Sequence, residues 1–249
     1  MKCVILAAGY ATRLYPLTEN FPKPLLKVKG KTIIDWIIED LERCNVISEF
    51  VIVSNHKFLH HFQEWCSNVN YKAKISVIDD GTTDNEHRLG AVKDIAFAVE
   101  TCEIQDDLLV VAGDNLTDFS LKGFLEYFAD KKSTCVMRHY EADLKRLCKT
   151  GVITIDDSDL VIEMQEKPKE PKSNWAVPPF YVYQKADIDK ILRAVKEELC
   201  NVDAPGDFIA WLCGNSKVYA YEMPGKRYDI GDMESYQKIQ EEYEGINIS

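Results

Sequence analysis

Near the N-terminus, Leu6-Ala7-Ala8-Gly9-Tyr10-Ala11-Thr12-Arg13 runs from an apolar segment into small residues, and Pro22-Lys23-Pro24-Leu25 follows. Small residues at the end of a strand let backbone N–H groups approach and cradle phosphate oxygens. Arg13 adds a planar fork that matches such oxygens, and Lys23, held between two prolines, adds a point charge of fixed position. A tight turn followed by a solvated basic loop would use the same residue types, and the segment is neither G-x-G-x-x-G nor a P-loop. Further along, Gly113-Asp114 closes an apolar run, where an aspartate serves equally as a turn or helix cap. Asp79 to Arg88 is a polar loop in which Thr82, Asn85 and Arg88 offer hydrogen bonds to a ligand, while Asp84 or Asn85 suits a helix cap. His60-His61 falls in an amphipathic helix, where neighbouring side chains point apart, so no shared metal is expected.

The elements that position these residues alternate. Residues 3–6, 50–53, 74–78, 108–111 and 134–138 read as short, buried strands. Helical spacing covers 33–44, 58–66, 89–99 and 121–128 between them. Repeated β-α-β of this kind implies a doubly wound, mostly parallel sheet, with ligands at the carboxyl ends of its strands, after Leu6, Ile78 and Val111. The second half differs. Residues 152–155 and 160–163 form a hairpin around Asp156-Asp157-Ser158-Asp159, and 180–183 and 218–222 are strands. Residues 186–200 and 233–243 are amphipathic helices. Trp175, Tyr181 and Tyr183 alternate with apolar residues and read as core, with Tyr181 also suited to lining a ligand pocket. The expected architecture is one domain, 1–249, whose first half, 1–140, carries the doubly wound sheet and whose second half, 141–249, carries an antiparallel addition.

Composition bounds the function. The 249 residues are 46% hydrophobic and 29% charged, ordinary for a globular protein able to bury a large core. A net charge of −11, from 30 basic against 41 acidic side chains, argues against a sequence-independent nucleic-acid binder. No run of 18 apolar residues suggests a membrane span, and the N-terminus lacks the apolar region of a signal peptide. The eight cysteines contain no C-x-x-C pair and sit mostly in apolar or helical segments. A reducing, cytoplasmic setting is expected.

Leu6 to Asp35 resembles the signature of the sugar-1-phosphate nucleotidylyltransferases, L-A-A-G-x-G-T-R-L-x-P-L-T followed by P-K-P-L. One position departs: Ala11 stands where the second glycine usually does. The resemblance implies a Rossmann-like doubly wound fold with a nucleotide-binding half, 1–140, and a sugar-phosphate-binding half, 141–249. It assigns catalysis to Arg13 and Lys23 and nucleotide contacts to Leu6, Ala7, Ala8, Gly9, Thr12 and Arg13. Asp80, Gly81, Gly90 and Ala91 occupy the region that meets the base in relatives, although only Gly90-Ala91 aligns comfortably with the usual G-L-A. Asp114 and Asp229 resemble the two metal aspartates. Two carboxylates with phosphate oxygens and water suit Mg²⁺, which rarely has an all-protein cage. Asn115, Gly151, Glu166, Lys167 and Tyr181 would meet the sugar phosphate, with Glu166-Lys167-Pro168 resembling the family's E-K-P. The Arg227-Tyr228-Asp229-Ile230-Gly231 tail looks like the uridylyl branch, and the head like the thymidylyl branch.

The implied reaction is Mg²⁺-dependent transfer from UTP or dTTP to a sugar-1-phosphate such as glucose-1-phosphate. The partners are therefore an NTP and a phosphorylated small molecule, with no nucleic acid and no membrane. Relatives are often dimers or tetramers, so a homo-oligomer is one state open to the chain, which the sequence does not fix. Two alternatives stay open: a cytidylyltransferase acting on phosphocholine or another non-sugar acceptor, and a non-catalytic nucleotide-sugar-binding regulatory protein.

Overall fold

The computed structural model of the protein describes residues 1–247. In chain order its strands are β1 (Lys2–Leu6), β2 (Lys27–Val28), β3 (Lys31–Thr32), β4 (Glu49–Ser54), β5 (Lys74–Asp79), β6 (Leu108–Ala112), β7 (Asn115–Thr117), β8 (Thr134–Tyr140), β9 (Gly151–Ile155), β10 (Val161–Glu166), β11 (Trp175–Val177), β12 (Phe180–Tyr183), β13 (Val218–Glu222) and β14 (Arg227–Asp229). The helices are α1 (Ile33–Cys44), α2 (Leu59–Asn68), α3 (Ala91–Thr101), α4 (Lys122–Lys131), α5 (Leu144–Leu147), α6 (Lys185–Lys196), α7 (Pro205–Leu212) and α8 (Met233–Glu242). The fold is α/β, and the chain forms two interleaved compact units.

Among the described residues, the first unit comprises 1–88, 111–122 and 224–247. Its centre is the parallel ladder β1-β4-β5, in register from Lys2 with Glu49 and from Glu49 with Lys74. Every residue of β4 is buried, and its centre, Phe50 to Val53, is a continuous apolar run rather than an alternating one. Thr32 and Asp35 close a capping box at the start of α1. β14 pairs antiparallel with β7. The hydroxyl of Tyr236 and the amide of Gln240 both donate to the Lys27 carbonyl, and the Tyr243 hydroxyl donates to Thr117. Residues 224–247 thus fall in the unit that opens the chain.

The second unit comprises residues 89–110 and 123–223. β8 is its hub, antiparallel to β11 and β12 and parallel to β13. The expected hairpin is present as β9 and β10. Its turn is closed by Asp156 Oδ1, which accepts from the Ser158 backbone and hydroxyl and from Leu160 N.

Several expectations need correction. The helix expected over 89–99 runs over Ala91–Thr101 and begins at Gly90 without a side-chain cap. Asp84 instead closes its own turn, accepting from the backbone of Glu86 and His87. The helix expected over 186–200 ends at Lys196, and Pro205–Leu212 is a helix that the sequence pattern did not suggest. His60 and His61 do not point apart: their ring centroids are 3.9 Å from each other, and His61 Nε2 meets the Asn20 carbonyl at 2.8 Å. Tyr181 and Tyr183 are core, but Trp175 is half-buried and lies 4.5 Å beneath the Arg138 guanidinium. All eight cysteines are free, and burial raises the thiols of Cys3 and Cys135.

Candidate active site

In the first unit the small-residue loop leaves β1 with Ala7 N donating to Val53 O at 2.9 Å. Asn55, fully buried, then holds it: Nδ2 donates to Ala8 O at 2.9 Å while Oδ1 accepts from Phe58 N at 2.9 Å. Gly9 has open space about its Cα, and Ala11 adopts φ 46, ψ 42, the left-handed conformation. The Ala11 carbonyl accepts from Leu14 N and from the Thr18 hydroxyl, which fixes that geometry. A glycine suits this position because a Cβ there costs about 1–2 kcal/mol, and this chain carries the strain.

Gly113 joins the loop to the first aspartate. Its N–H donates to Leu6 O at 2.8 Å, and a methyl at Gly113 would stand 3.1 Å from Leu6 O and 3.2 Å from Pro24 Cγ. That close approach delivers Asp114 to Lys23, whose Nζ lies 2.6 Å from Asp114 Oδ2. Burial raises the Asp114 carboxyl, but the Lys23 ammonium beside it, supported by Arg227, outweighs this and holds it below the usual carboxylate range. Asn115 is buried, donating to Ala112 O and accepting from Arg227 Nη1 at 3.2 Å. The antiparallel register sets Asp229 opposite Asn115, the residue that follows Asp114. A methyl at Gly231 would stand 3.7 Å from both Arg13 Nη1 and Asp229 Oδ2, which places the exposed Arg13 beside the second aspartate. Lys23 thus meets Asp114, Arg13 lies beside Asp229, and Asp229 pairs with the residue that follows Asp114.

Asp80 and Gly81 form a separate turn. Asp80 N donates to Ser54 O, and its Oδ1 accepts from the Thr82 amide and hydroxyl, each at 2.7 Å. Thr12 is exposed between Ala11 and Arg13. Gly90 and Ala91, grouped with Asp80 and Gly81 by the sequence, belong to the second unit: Ala91 N and Val92 N donate to the carbonyls of Asp203 and Val202.

In the second unit Gly151 pairs with Glu166 across β9 and β10. A methyl on Gly151 would reach Met164 Cε at 2.5 Å and Glu166 Oε2 at 3.2 Å, and one on Gly206 would overlap that same oxygen. Two glycines thus make the space in which the Glu166 carboxyl lies. Lys167, at φ 45, places Nζ 4.0 Å from Glu166 Oε1 and 3.6 Å from Asp203 Oδ2. Asp203, Gly206 and Asp207 were not read from the sequence as site residues. Their signal was Pro205 at the first helical position with an acid two residues on, whose carboxylate accepts from Ala204 N. Tyr181 is buried and stacks on Tyr183 at 6.2 Å.

Burial pushes the Glu166 carboxyl from 4.5 to about 7, with Asp207 and Asp203 adding to the rise and Lys167 opposing it. Between about pH 5 and pH 7 the folded protein holds a proton that the unfolded chain has released. Stability therefore falls as pH rises through that window. Glu166→Gln, which cannot ionise, is expected to melt with wild type near pH 5 and to be more stable above pH 7, by up to about 3 kcal/mol. Superimposable melting curves for the two proteins from pH 5 to 8 would contradict the assignment.

A family model for nucleotidyl transferases matches residues 2–245. The chain belongs to the nucleotidyl transferase family. It is 31% identical over 235 residues to the bifunctional protein GlmU of Methanocaldococcus jannaschii, covering 93% of this chain and 51% of that protein. It is 28% identical over 247 residues to a glucose-1-phosphate adenylyltransferase of Fervidobacterium nodosum, covering 94% of this chain and 59% of that one. The chain thus spans little more than half the length of these curated relatives. A solved UDP-glucose pyrophosphorylase, complexed with UDP-glucose, superposes with a TM-score of 0.81 at 22% identity over 97% of each chain, a likeness of fold. The expected Rossmann-like α/β architecture is that of this family.

Proposed function

We propose that the protein transfers a nucleotidyl group from UTP or dTTP to a sugar-1-phosphate such as glucose-1-phosphate, releasing pyrophosphate. The observations that carry this reading are the contact of Lys23 with Asp114 and the position of Arg13 beside Asp229, which pairs with the residue after Asp114. A phosphate oxygen of the acceptor attacks the α-phosphorus, a new P–O bond forms, and the bond to the β-phosphate bridge breaks. The acceptor is already anionic at neutral pH, so the protein's task is positioning and charge neutralisation. Lys23 meets the α-phosphate and the attacking oxygen, Arg13 the leaving pyrophosphate, and Lys167 the acceptor phosphate. Glu166, protonated in part near neutral pH, can donate to a sugar hydroxyl or accept from one. The Arg227-Tyr228-Asp229-Ile230-Gly231 tail supports UTP, and the N-terminal motif supports dTTP.

The donor set fits Mg²⁺. Asp229 is exposed, the Asp114 side chain is 41% exposed, and both supply hard oxygens that phosphate and water would complete. Among the described residues no three His, Cys, Asp or Glu side chains cluster as a metal cage, which suits an ion shared with substrate. Bound there, Mg²⁺ would neutralise charge on the phosphate oxygens. Asp229→Asn is expected to raise the Mg²⁺ concentration needed for half-maximal turnover by about 10–100-fold. A Mg²⁺ titration identical to wild type would count against the assignment.

One observation favours a second acceptor class. Lys167 is the only cation assigned to the acceptor, yet Glu166, Asp203 and Asp207 surround it electrostatically. A phosphate brought to one ammonium among three acidic side chains, of which Glu166 is partly protonated, is better accepted if the molecule carries a cation of its own, as phosphocholine does. Turnover with phosphocholine and none with glucose-1-phosphate would establish that reading in place of the first.

A further inference from the structure

Lys23 carries two assignments that conflict in the free protein. As the cation proposed for the α-phosphate it must be available to nucleotide, yet its Nζ lies 2.6 Å from Asp114 Oδ2. The lysine side chain is only 8% exposed, and it leaves a short 3₁₀ turn between Pro22 and Pro24, so its path to Asp114 is fixed by packing. Asp229 stands opposite Asn115, the residue that follows Asp114, and Arg227 is engaged with Asn115. The ammonium is thus the cation in direct contact with Asp114 Oδ2, at the carboxylate where a divalent ion would bind.

We propose that Lys23 holds the place of the divalent cation at Asp114 in the free protein, so that metal and nucleotide enter together. Phosphate oxygens draw the ammonium off Asp114, and the divalent ion takes over the carboxylate that it leaves. This inference rests on Asp114 and Asp229 being the metal aspartates. A divalent ion approaching alone meets an occupied carboxylate oxygen and a like charge within a few ångströms, and repulsion at that distance in a partly buried site weakens its binding. Nucleotide removes the obstacle because it offers the lysine better partners, a set of phosphate oxygens in place of one carboxylate.

The test is Mn²⁺ binding to the full chain without nucleotide, followed by the Mn²⁺ electron paramagnetic resonance signal. Lys23→Gln is expected to bind Mn²⁺ about tenfold or more tighter than wild type. Lys23→Arg, which keeps the charge, should stay near wild type. Lys23→Met, an uncharged and unbranched side chain suited to the same burial, serves if the glutamine variant does not fold and should also bind tighter. Equal Mn²⁺ affinity in wild type and the neutral variants, with turnover still dependent on Mg²⁺, would overturn this inference alone. Tighter binding that Asp229→Asn leaves unchanged would overturn the metal assignment, and the inference with it.

Discussion

Lys23→Ala is expected to lower turnover by about 10²–10³-fold, the scale on which a preorganised donor acts on charge developing in a transition state. The lysine reaches its position through a buried turn between two prolines, so no neighbouring cation can substitute without rebuilding that turn. Arg13 is exposed beside Asp229, and Arg227 is engaged with Asn115. The fold should survive. The Lys23 carbonyl, which accepts from Leu26 N at 3.0 Å, is untouched by the substitution. Asp114, with its side chain 41% exposed, can hydrate when its partner is gone, unlike a fully buried carboxylate. A melting temperature within a few degrees of wild type should therefore accompany the loss of rate. Turnover within a few-fold of wild type would remove Lys23 from the chemistry, and a global loss of structure would move it from chemistry to folding.

Gly90→Ala is expected to give the largest loss of stability among single-methyl additions. Gly90 has φ 93 and ψ 147, a region that essentially only glycine occupies. The added methyl would also stand 2.5 Å from the carbonyl oxygen of Val202 and 3.2 Å from Asp203 Cα, and this is backbone that cannot rotate away. That backbone caps α3: the carbonyls of Val202 and Asp203 accept from Val92 N and Ala91 N, two donors that a helix start leaves without partners. Conformational strain and overlap together should cost about 3 kcal/mol or more. For a chain of this size that lowers the melting temperature by roughly 6–12 °C. Gly9→Ala, with nothing within 4 Å of the added methyl, is the control and should melt with wild type. Equal melting of the Gly90 variant and wild type would contradict the close approach.

The parts of the fold legible in the sequence are those with a local cause. α1 begins and ends where periodicity places it because Thr32 and Asp35 form a capping box and Asn45 closes it in the left-handed conformation. The buried parallel strands announced themselves as continuous apolar runs. What stayed hidden depends on partners distant in sequence. α7 is short and mostly apolar, so its run Phe208-Ile209-Ala210-Trp211-Leu212 shows no polar face to betray a helix. The start of α3 is fixed by carbonyls more than a hundred residues away, which no cap residue signals. The same holds for the site. Lys23 and Asp114 stood out by motif, but Asn55, which anchors the loop from β4, carries no motif. Asp203, Gly206 and Asp207 gather about Glu166 only because two glycines leave space for its carboxyl.

The central claim is nucleotidyl transfer to a phosphorylated acceptor, and pyrophosphate release tests it most directly. With Mg²⁺ present, UTP, dTTP, CTP, GTP and ATP would each be crossed with glucose-1-phosphate, other sugar-1-phosphates and phosphocholine. Release with UTP or dTTP that requires a sugar-1-phosphate is the predicted result. Nucleotide binding without pyrophosphate release from any pair would contradict it and leave a nucleotide-binding protein in place of an enzyme.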